Sequence, residues 1–157
     1  QAVHVARRAG GYLVAVDTHG SLCWPAGEFD GQPLLVITSE KCAAEYLDTL
    51  AGAGISWIAV GEERIDLPEA MEMLRETFGV ERLAGGGNIN GAFLAAGLLD
   101  EVSLMVAPGI DGRTGMTAVF DGIDDAARPA TKLQLRSVKQ VGEGTVWMRY
   151  GFPAPVE

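Results

Sequence analysis

Cysteine and histidine, the residues that most often bind metals or form cross-links, are scarce in this chain. Two cysteines, Cys23 and Cys42, and two histidines, His4 and His19, occur in 157 residues. They form no CxxC pair and have no metal-ligand spacing, so we expect no metal site. Because disulfides are rare in the cytosol, the sequence favours two free thiols in a cytoplasmic protein.

Positive charge is scarce as well. Lys and Arg total 12 against 21 Asp and Glu, which gives a formal net charge of −9. A nucleic-acid partner needs clustered basic residues to meet its phosphates, so this composition argues against one. An anionic small molecule would have to be held locally, by backbone N–H groups and a few selected cations.

Long apolar runs are missing too. The longest apolar stretch with helical character covers residues 93–99, far short of the roughly 20 residues that span a membrane. No basic N-terminal region followed by an apolar run suggests a secretion signal. We therefore expect a soluble protein without a membrane partner, and its 48% of apolar residues suffice for the core of one domain.

The order of apolar and polar segments predicts an α/β domain. Strands are predicted at residues 12–16, 33–38, 55–61, 80–84 and 101–108, and helices at 39–52 (capped by Ser39), 66–78 and 90–96. Such alternation builds parallel strands joined by crossover helices. Two alternating runs around Gly142 and Gly144 predict an antiparallel hairpin over residues 132–152. We expect one domain over residues 1–157 with a mixed sheet, and a functional role for the long connection at 109–129.

Residues 85–91, "GGGNING", form a glycine run between a predicted strand and a predicted helix. Ligands of open α/β sheets bind at such an edge, where helix-start N–H groups attract phosphate. The run is not GxGxxG, because Asn90 stands where that motif needs glycine, and no Lys follows Gly91 as a Walker loop requires. By itself the run fits a phosphate site and a purely structural helix entry equally well.

Residues 83–112 resemble the reductase domain of the riboflavin-biosynthesis deaminase-reductases, which has a dihydrofolate-reductase-like fold. The shared features, in order, are a glycine loop, a helix with Phe-Leu, a Leu-x-Asp-Glu turn, a strand, and Ala-Pro before a glycine. Here they are glycines 85–87, Phe93 and Leu94, residues 98–101, and Ala107 and Pro108 before Gly112. The resemblance implies a three-layer α/β fold with a mixed, mostly parallel sheet and a C-terminal antiparallel hairpin.

The resemblance also implies a function. It predicts an NADPH-dependent reductase that transfers hydride to the sugar carbon of a ribosylamino-pyrimidine phosphate, or to a related pyrimidine or pterin-like substrate, and that forms a homodimer. The cofactor pyrophosphate would lie on the glycine run, and Thr18 matches a small hydroxyl residue that contacts the cofactor. The residues implied in the run are Gly85, Gly86, Gly87, Asn88, Ile89, Asn90 and Gly91.

The 2′-phosphate of NADPH needs a partner in so acidic a protein. Thr38, Ser39 and Lys41 follow a predicted strand and offer hydroxyls, helix-start N–H groups and a cation. We predict that they bind the 2′-phosphate. The alternative is an ordinary capped helix start with a solvated lysine.

Two departures from the family pattern affect the substrate site. The family's domain begins with a segment that has no counterpart here, so we expect the chain to lack it. The glutamate that contacts substrate before the glycines is replaced by Ala84, which can neither accept a hydrogen bond nor bear charge. No catalytic residue is assigned, and Asp17 fits either a ligand contact or a turn.

Two other functions remain open from the sequence. One is a dihydrofolate reductase, which shares the fold and would turn over dihydrofolate with NADPH. The other is a non-catalytic relative that binds nucleotide or only dimerises, which the alanine at position 84 and the missing segment favour.

Overall fold

The computed structural model describes residues 1–116 and 118–153, which divide into two compact units, Gln1–Leu83 and Ala84–Glu157. The single domain expected over residues 1–157 stays a prediction. None of the helices in the described ranges is long and apolar enough to cross a membrane. Cys23 is exposed and Cys42 is buried, and both are free thiols as predicted.

The first unit is a five-stranded mixed sheet with two helices. The elements are β1 (Ala2–His4), β2 (Leu13–Val16), β3 (Glu28–Phe29), β4 (Gln32–Thr38), α1 (Ala44–Gly52), β5 (Ser56–Ala59) and α2 (Leu67–Phe78). Strands β2, β4 and β5 are parallel, whereas β1 pairs antiparallel with β5 and β3 pairs antiparallel with β4. The strand order is β1-β5-β4-β2, with β3 beside β4. Only β1 and β3 are not predicted from the sequence.

Strand β4 is buried on both faces because each face meets a different apolar cluster. Leu35 and Ile37 belong to a cluster that contains the buried α2 residues Ala70, Leu74 and Phe78. Alternate β4 residues join a second cluster with Leu50 of α1. Burying each large apolar side chain contributes about 1.5–3 kcal/mol, so β4 anchors this unit.

Helix α2 has the ends that its sequence predicts. The Asp66 carboxylate accepts a 3.0 Å hydrogen bond from the N–H of Glu69, and Pro68 occupies the first turn. Gly79 terminates the helix with φ 68°, a left-handed conformation that glycine adopts without a steric penalty.

Two predictions in the first unit are wrong. Helix α1 begins at Ala44 with Ala43 as its cap residue, not at Ser39. The Ser39 hydroxyl donates to the carbonyl of Thr18, and the helix starts five residues further along the chain. The strand predicted at residues 80–84 does not form, because residues 81–84 are exposed and have no ladder partner among the described strands.

The second unit contains α3 (Gly87–Ala95) and a three-stranded sheet of β6 (Glu101–Val106), β7 (Gln134–Val141) and β8 (Thr145–Gly151). The β7–β8 hairpin confirms the prediction for residues 132–152. Strand β6 pairs antiparallel with β8, so the prediction that it extends a parallel sheet is wrong. Glu101 opens β6 and forms a two-bond ion pair with Arg149 at 2.7 and 2.6 Å.

Helix α3 also begins earlier than predicted, at Gly87 and not at Asn90. Its end agrees with the sequence, since Gly97 has φ 69° and donates to Leu94 O while Leu98 N donates to Phe93 O. This is the paired hydrogen-bond pattern that closes helices at a left-handed glycine. The first five residues of α3 include two glycines and two asparagines, which are poor helix formers, and this is why the sequence pattern misplaces the start.

Candidate functional site

The start of α3 presents a group of backbone donors. Gly86 is the cap residue, with an extended backbone (φ −89°, ψ 179°) and no side-chain capping bond. Among the described residues, no acceptor takes a hydrogen bond from the N–H groups of residues 86–89, and the first helical bond is Asn90 N to Gly86 O at 2.9 Å. These donors lie at the positive end of the helix dipole, so the arrangement suits an anion.

The glycines of the run have different structural roles. A β-carbon at Gly91 would overlap with the carbonyl oxygen of Asp121, and one at Gly87 would overlap with that of Ala118. Both glycines therefore permit the chain at 118–121 to pack against α3. A β-carbon at Gly86 would meet nothing within 4 Å, so that position is open for a ligand.

Asn90 bonds to the protein in this structure. Its Nδ2 donates a 2.8 Å hydrogen bond to the carbonyl of Val119, and a β-carbon at Gly85 would lie 3.1 Å from its Oδ1. The resemblance places Asn90 in the run that would hold the cofactor pyrophosphate. The bond to Val119 has no sequence signal, because its acceptor is a main-chain group 29 residues away.

Ala84 directly precedes the glycine run and is exposed. Because no strand forms at residues 80–84, the expectation that the run follows a strand at a sheet edge loses its premise. The feature of this unit that suits an anion is the set of backbone N–H groups at the start of α3.

In the first unit, the structure brings Thr18, Thr38 and Ser39 together. The carbonyl of Thr18 accepts hydrogen bonds from Ser39 N (3.4 Å), Ser39 Oγ (2.8 Å) and Thr38 Oγ1 (3.4 Å). Thr38 and Ser39 are fully buried. Their hydroxyls therefore hold the turn that follows β2.

Lys41 lies beside this cluster in sequence but is exposed. Its Nζ forms an ion pair with Oε1 of Glu63, whose side chain is also exposed. Exposed pairs of this kind contribute little, typically less than about 1 kcal/mol. Lys41 is therefore an exposed cation whose ion pair with Glu63 adds little to stability.

Asp17, at the end of β2, is buried with 5% of its surface exposed. It accepts hydrogen bonds from Ser21 N (3.0 Å), Ser21 Oγ (3.2 Å), Leu22 N (2.9 Å) and the hydroxyl of Tyr46 (2.8 Å). Burial by itself raises the pKa of this carboxyl, but the hydrogen bonds outweigh it and hold the pKa below its ordinary value. Asp17 thus organises the turn 17–22, one of its two predicted roles.

Tyr46 links Asp17 to Trp24. The indole Nε1 of Trp24 donates to the Tyr46 oxygen at 2.8 Å, and the Tyr46 hydroxyl donates onward to Asp17. Burial raises the pKa of Tyr46 to about 12, the Trp24 bond opposes the shift, and charged Asp17 adds to it. Sequence reasoning missed this chain of side chains, because Tyr46 reads as one more apolar position of α1.

The fold and the glycine-rich helix start define a class: an α/β protein in which no described residue accepts a hydrogen bond from the N–H groups at the start of α3. The chain belongs to the RibD C-terminal domain family, whose sequence model matches residues 13–147. The resemblance on residues 83–112 is thereby confirmed.

Individual relatives agree with the family assignment. The chain is 34% identical over 121 residues to the 2,5-diamino-6-ribosylamino-4(3H)-pyrimidinone 5′-phosphate reductase of Methanothermobacter thermautotrophicus, covering 74% of this chain and 55% of that protein. It is 26% identical over 113 residues to the riboflavin biosynthesis protein RibD of Bacillus amyloliquefaciens, covering 70% of this chain and 30% of that protein.

A solved structure with a similar fold is that of a pyrimidine reductase-like protein from Corynebacterium diphtheriae. It superposes with a TM-score of 0.68 at 19% identity, covering 89% of this chain and 60% of that one. This confirms the predicted fold class, an α/β, dihydrofolate-reductase-like fold. Since the chain spans only 30–60% of the length of these three proteins, their activities are proposals for it.

Proposed function

We propose that this chain is part of an NADPH-dependent reductase of riboflavin biosynthesis, acting in the cytoplasm on a ribosylamino-pyrimidine phosphate or a related pyrimidine. The observation that supports it most directly is the helix start at Gly86, whose N–H groups have no acceptor among the described residues, in a member of this family. Relatives named as pyrimidinone phosphate reductases support the reaction class.

The residues present fit a dinucleotide phosphate. The N–H groups of residues 86–89, which no residue in the described ranges accepts, offer a compact set of donors without a side-chain cap. Gly86 leaves room for a phosphate to approach the backbone, because even a β-carbon there would meet nothing. We assign the pyrophosphate to the glycine run, residues 85–91.

In the first unit we assign a supporting role to Thr18. Its carbonyl is held by the buried hydroxyls of Thr38 and Ser39, which fixes the turn after β2 and leaves its half-exposed side chain available to a cofactor. We assign the 2′-phosphate to Lys41, with Thr38 and Ser39 shaping the backbone next to it. Lys41 supplies a positive charge whose present partner is a solvated carboxylate.

Bound NADPH would supply the hydride, which the protein itself cannot provide. The contribution of this chain is to bind and orient the cofactor, and to hold the substrate through residues near Ala84. Because Ala84 is exposed and lacks a polar side chain, we propose that substrate selection here differs from that of relatives with glutamate. A homodimer is proposed by analogy with the family.

Thermal unfolding with NADPH tests the binding proposal. A ligand selective for the folded chain stabilises it by about 2.7 kcal/mol at 100 times its Kd, so millimolar NADPH should raise the Tm by several degrees. An unchanged Tm would overturn the proposed function.

Oxidation of NADPH with the ribosylamino-pyrimidine phosphate as acceptor tests the reaction, whereas turnover of dihydrofolate alone would identify a dihydrofolate reductase.

A further inference from the structure

The connection between β6 and β7, residues 107–133, is long and contains no helix or strand in its described part. Connections of this length in compact units are usually functional or disordered. Three large apolar side chains on it, Ile110, Met116 and Val119, are 99%, 60% and 48% exposed. Burial of these side chains therefore does not hold the connection in place.

The first turn of α3 holds part of this β6–β7 connection through hydrogen bonds. The N–H of Asp121 donates to the carbonyl of Gly87 at 2.9 Å, and Nδ2 of Asn90 donates to the carbonyl of Val119 at 2.8 Å. The absence of side chains at Gly87 and Gly91 lets this backbone approach the helix closely. We call residues 118–122 the docking segment.

The docking segment contributes backbone and little free charge. Its one ionisable residue, Asp121, accepts the N–H of its neighbour Gly122 at 2.8 Å. Gly122 also lies next to Asn88, since a β-carbon on it would be 3.1 Å from Asn88 Oδ1. The segment thus lies beside residues 87–91, and no atom of residues 118–122 comes within 4 Å of a β-carbon placed on Gly86.

We infer that the docking segment is one wall of the cofactor site and that Asn90 is a positioning residue, which fixes the glycine run by bonding to Val119 and does not contact the cofactor. The inference rests on the proposed function. In this arrangement Gly87 and Gly91 allow the docking segment to pack closely against α3, and Gly86 leaves space for the cofactor phosphate. NADPH bound at the start of α3 stabilises the docking segment, because the cofactor and the segment both bind to the first turn of this helix.

Tryptic cleavage of the 157-residue chain tests the wall. Arg113 and Lys132 flank the docking segment and are exposed, and exposed Arg64 in the first unit is an internal control. NADPH should slow cleavage at Arg113 and Lys132 at least about threefold more than at Arg64. In Asn90→Ala, NADPH should slow cleavage on either side of the docking segment no more than it does at Arg64.

A double-mutant cycle tests the role of Asn90. Asn90→Ala and Gly91→Ala should each raise the Kd for NADPH about tenfold, and the double variant should be little worse than either, because both undock the same segment. If the increases in Kd of the two single variants multiply in the double variant, Asn90 and Gly91 act independently. The Asn90 amide would then contact the cofactor itself, and the inference would be overturned. If Gly91→Ala does not fold, the cleavage pattern of Asn90→Ala decides.

The outcomes separate the two proposals. A chain that NADPH neither stabilises nor binds overturns the proposed function and this inference with it. A chain that NADPH stabilises, with equal protection at Arg113, Lys132 and Arg64, overturns only the inference.

Discussion

The hydroxyl of Tyr46 on α1 donates a 2.8 Å hydrogen bond to the buried carboxylate of Asp17, 29 residues earlier in the chain. The same hydroxyl accepts from Trp24, so three side chains from different parts of the first unit share one polar chain. This ties the turn after β2, which contains Thr18, to the helix that follows β4.

Tyr46→Phe should therefore destabilise the first unit. The change removes one donor from buried Asp17 and leaves the Trp24 N–H without its acceptor, at a cost of about 1–3 kcal/mol. Urea unfolding measures the difference. Tyr150→Phe is the matched control, since the Tyr150 hydroxyl reaches a weak sulfur acceptor on Met148. Equal effects of the two variants would contradict the role of the Tyr46 bond.

Asp17 should make stability depend on acid pH. Its pKa is lowered in the folded chain, so its contribution is complete above the ordinary aspartate pKa and is lost as the pH falls through the lowered value. Asp17→Asn should be less stable than the parent at pH 7 by about 1–3 kcal/mol, with the gap narrowing towards low pH. Exposed Asp48→Asn is the control. A gap independent of pH would refute this prediction.

Gly61 and Gly54 offer a matched pair for the cost of close packing. Both have positive φ, 76° and 71°, but a β-carbon at Gly61 would overlap with the carbonyl of Arg64, whereas one at Gly54 would meet nothing. Gly54→Ala should cost about 1–2 kcal/mol for its left-handed backbone. Gly61→Ala should cost about 1–3 kcal/mol more for the clash. Thermal or urea unfolding gives both values. Equal losses in the free energy of unfolding would exclude the clash.

Lys41→Ala should weaken the preference for NADPH over NADH. The loss of an exposed cation is worth about 1 kcal/mol, or roughly fivefold in the ratio of the two Kd values. Binding titrations with both cofactors measure this ratio. Lys132→Ala, which removes an exposed lysine elsewhere, should leave it unchanged. An unchanged ratio in Lys41→Ala would remove Lys41 from the 2′-phosphate site.

Ala84→Glu should improve use of a ribosylamino-pyrimidine phosphate. A carboxylate at this exposed position would accept hydrogen bonds from the substrate, and bonds to charged groups contribute about 1.5–3 kcal/mol, or about 10- to 100-fold in kcat/KM. Ala95→Glu on α3 controls for added charge. A kcat/KM no higher than that of the parent chain would show that this position does not select the substrate.

Local signals in the sequence predicted several elements well. Asp66, Pro68 and Gly79 bound α2 as expected, because capping bonds and a left-handed glycine act within a few residues. Burial of β4 on both faces follows from its continuous apolar run. The predictions failed at Ser39 and at residues 80–84, where a distant carbonyl or the lack of a partner strand decides the structure.

The sequence by itself determined the family, the α/β class, the hairpin and the place of the glycine run, because each depends on the order and local chemistry of residues. Only the tertiary structure decided what the run does. It assigned Gly87 and Gly91 to backbone packing, bonded Asn90 to Val119, and gave the N–H of Gly86 no acceptor within the part of the chain that is described. These contacts join groups about 30 residues apart, and main-chain acceptors carry no residue identity that a sequence pattern reveals.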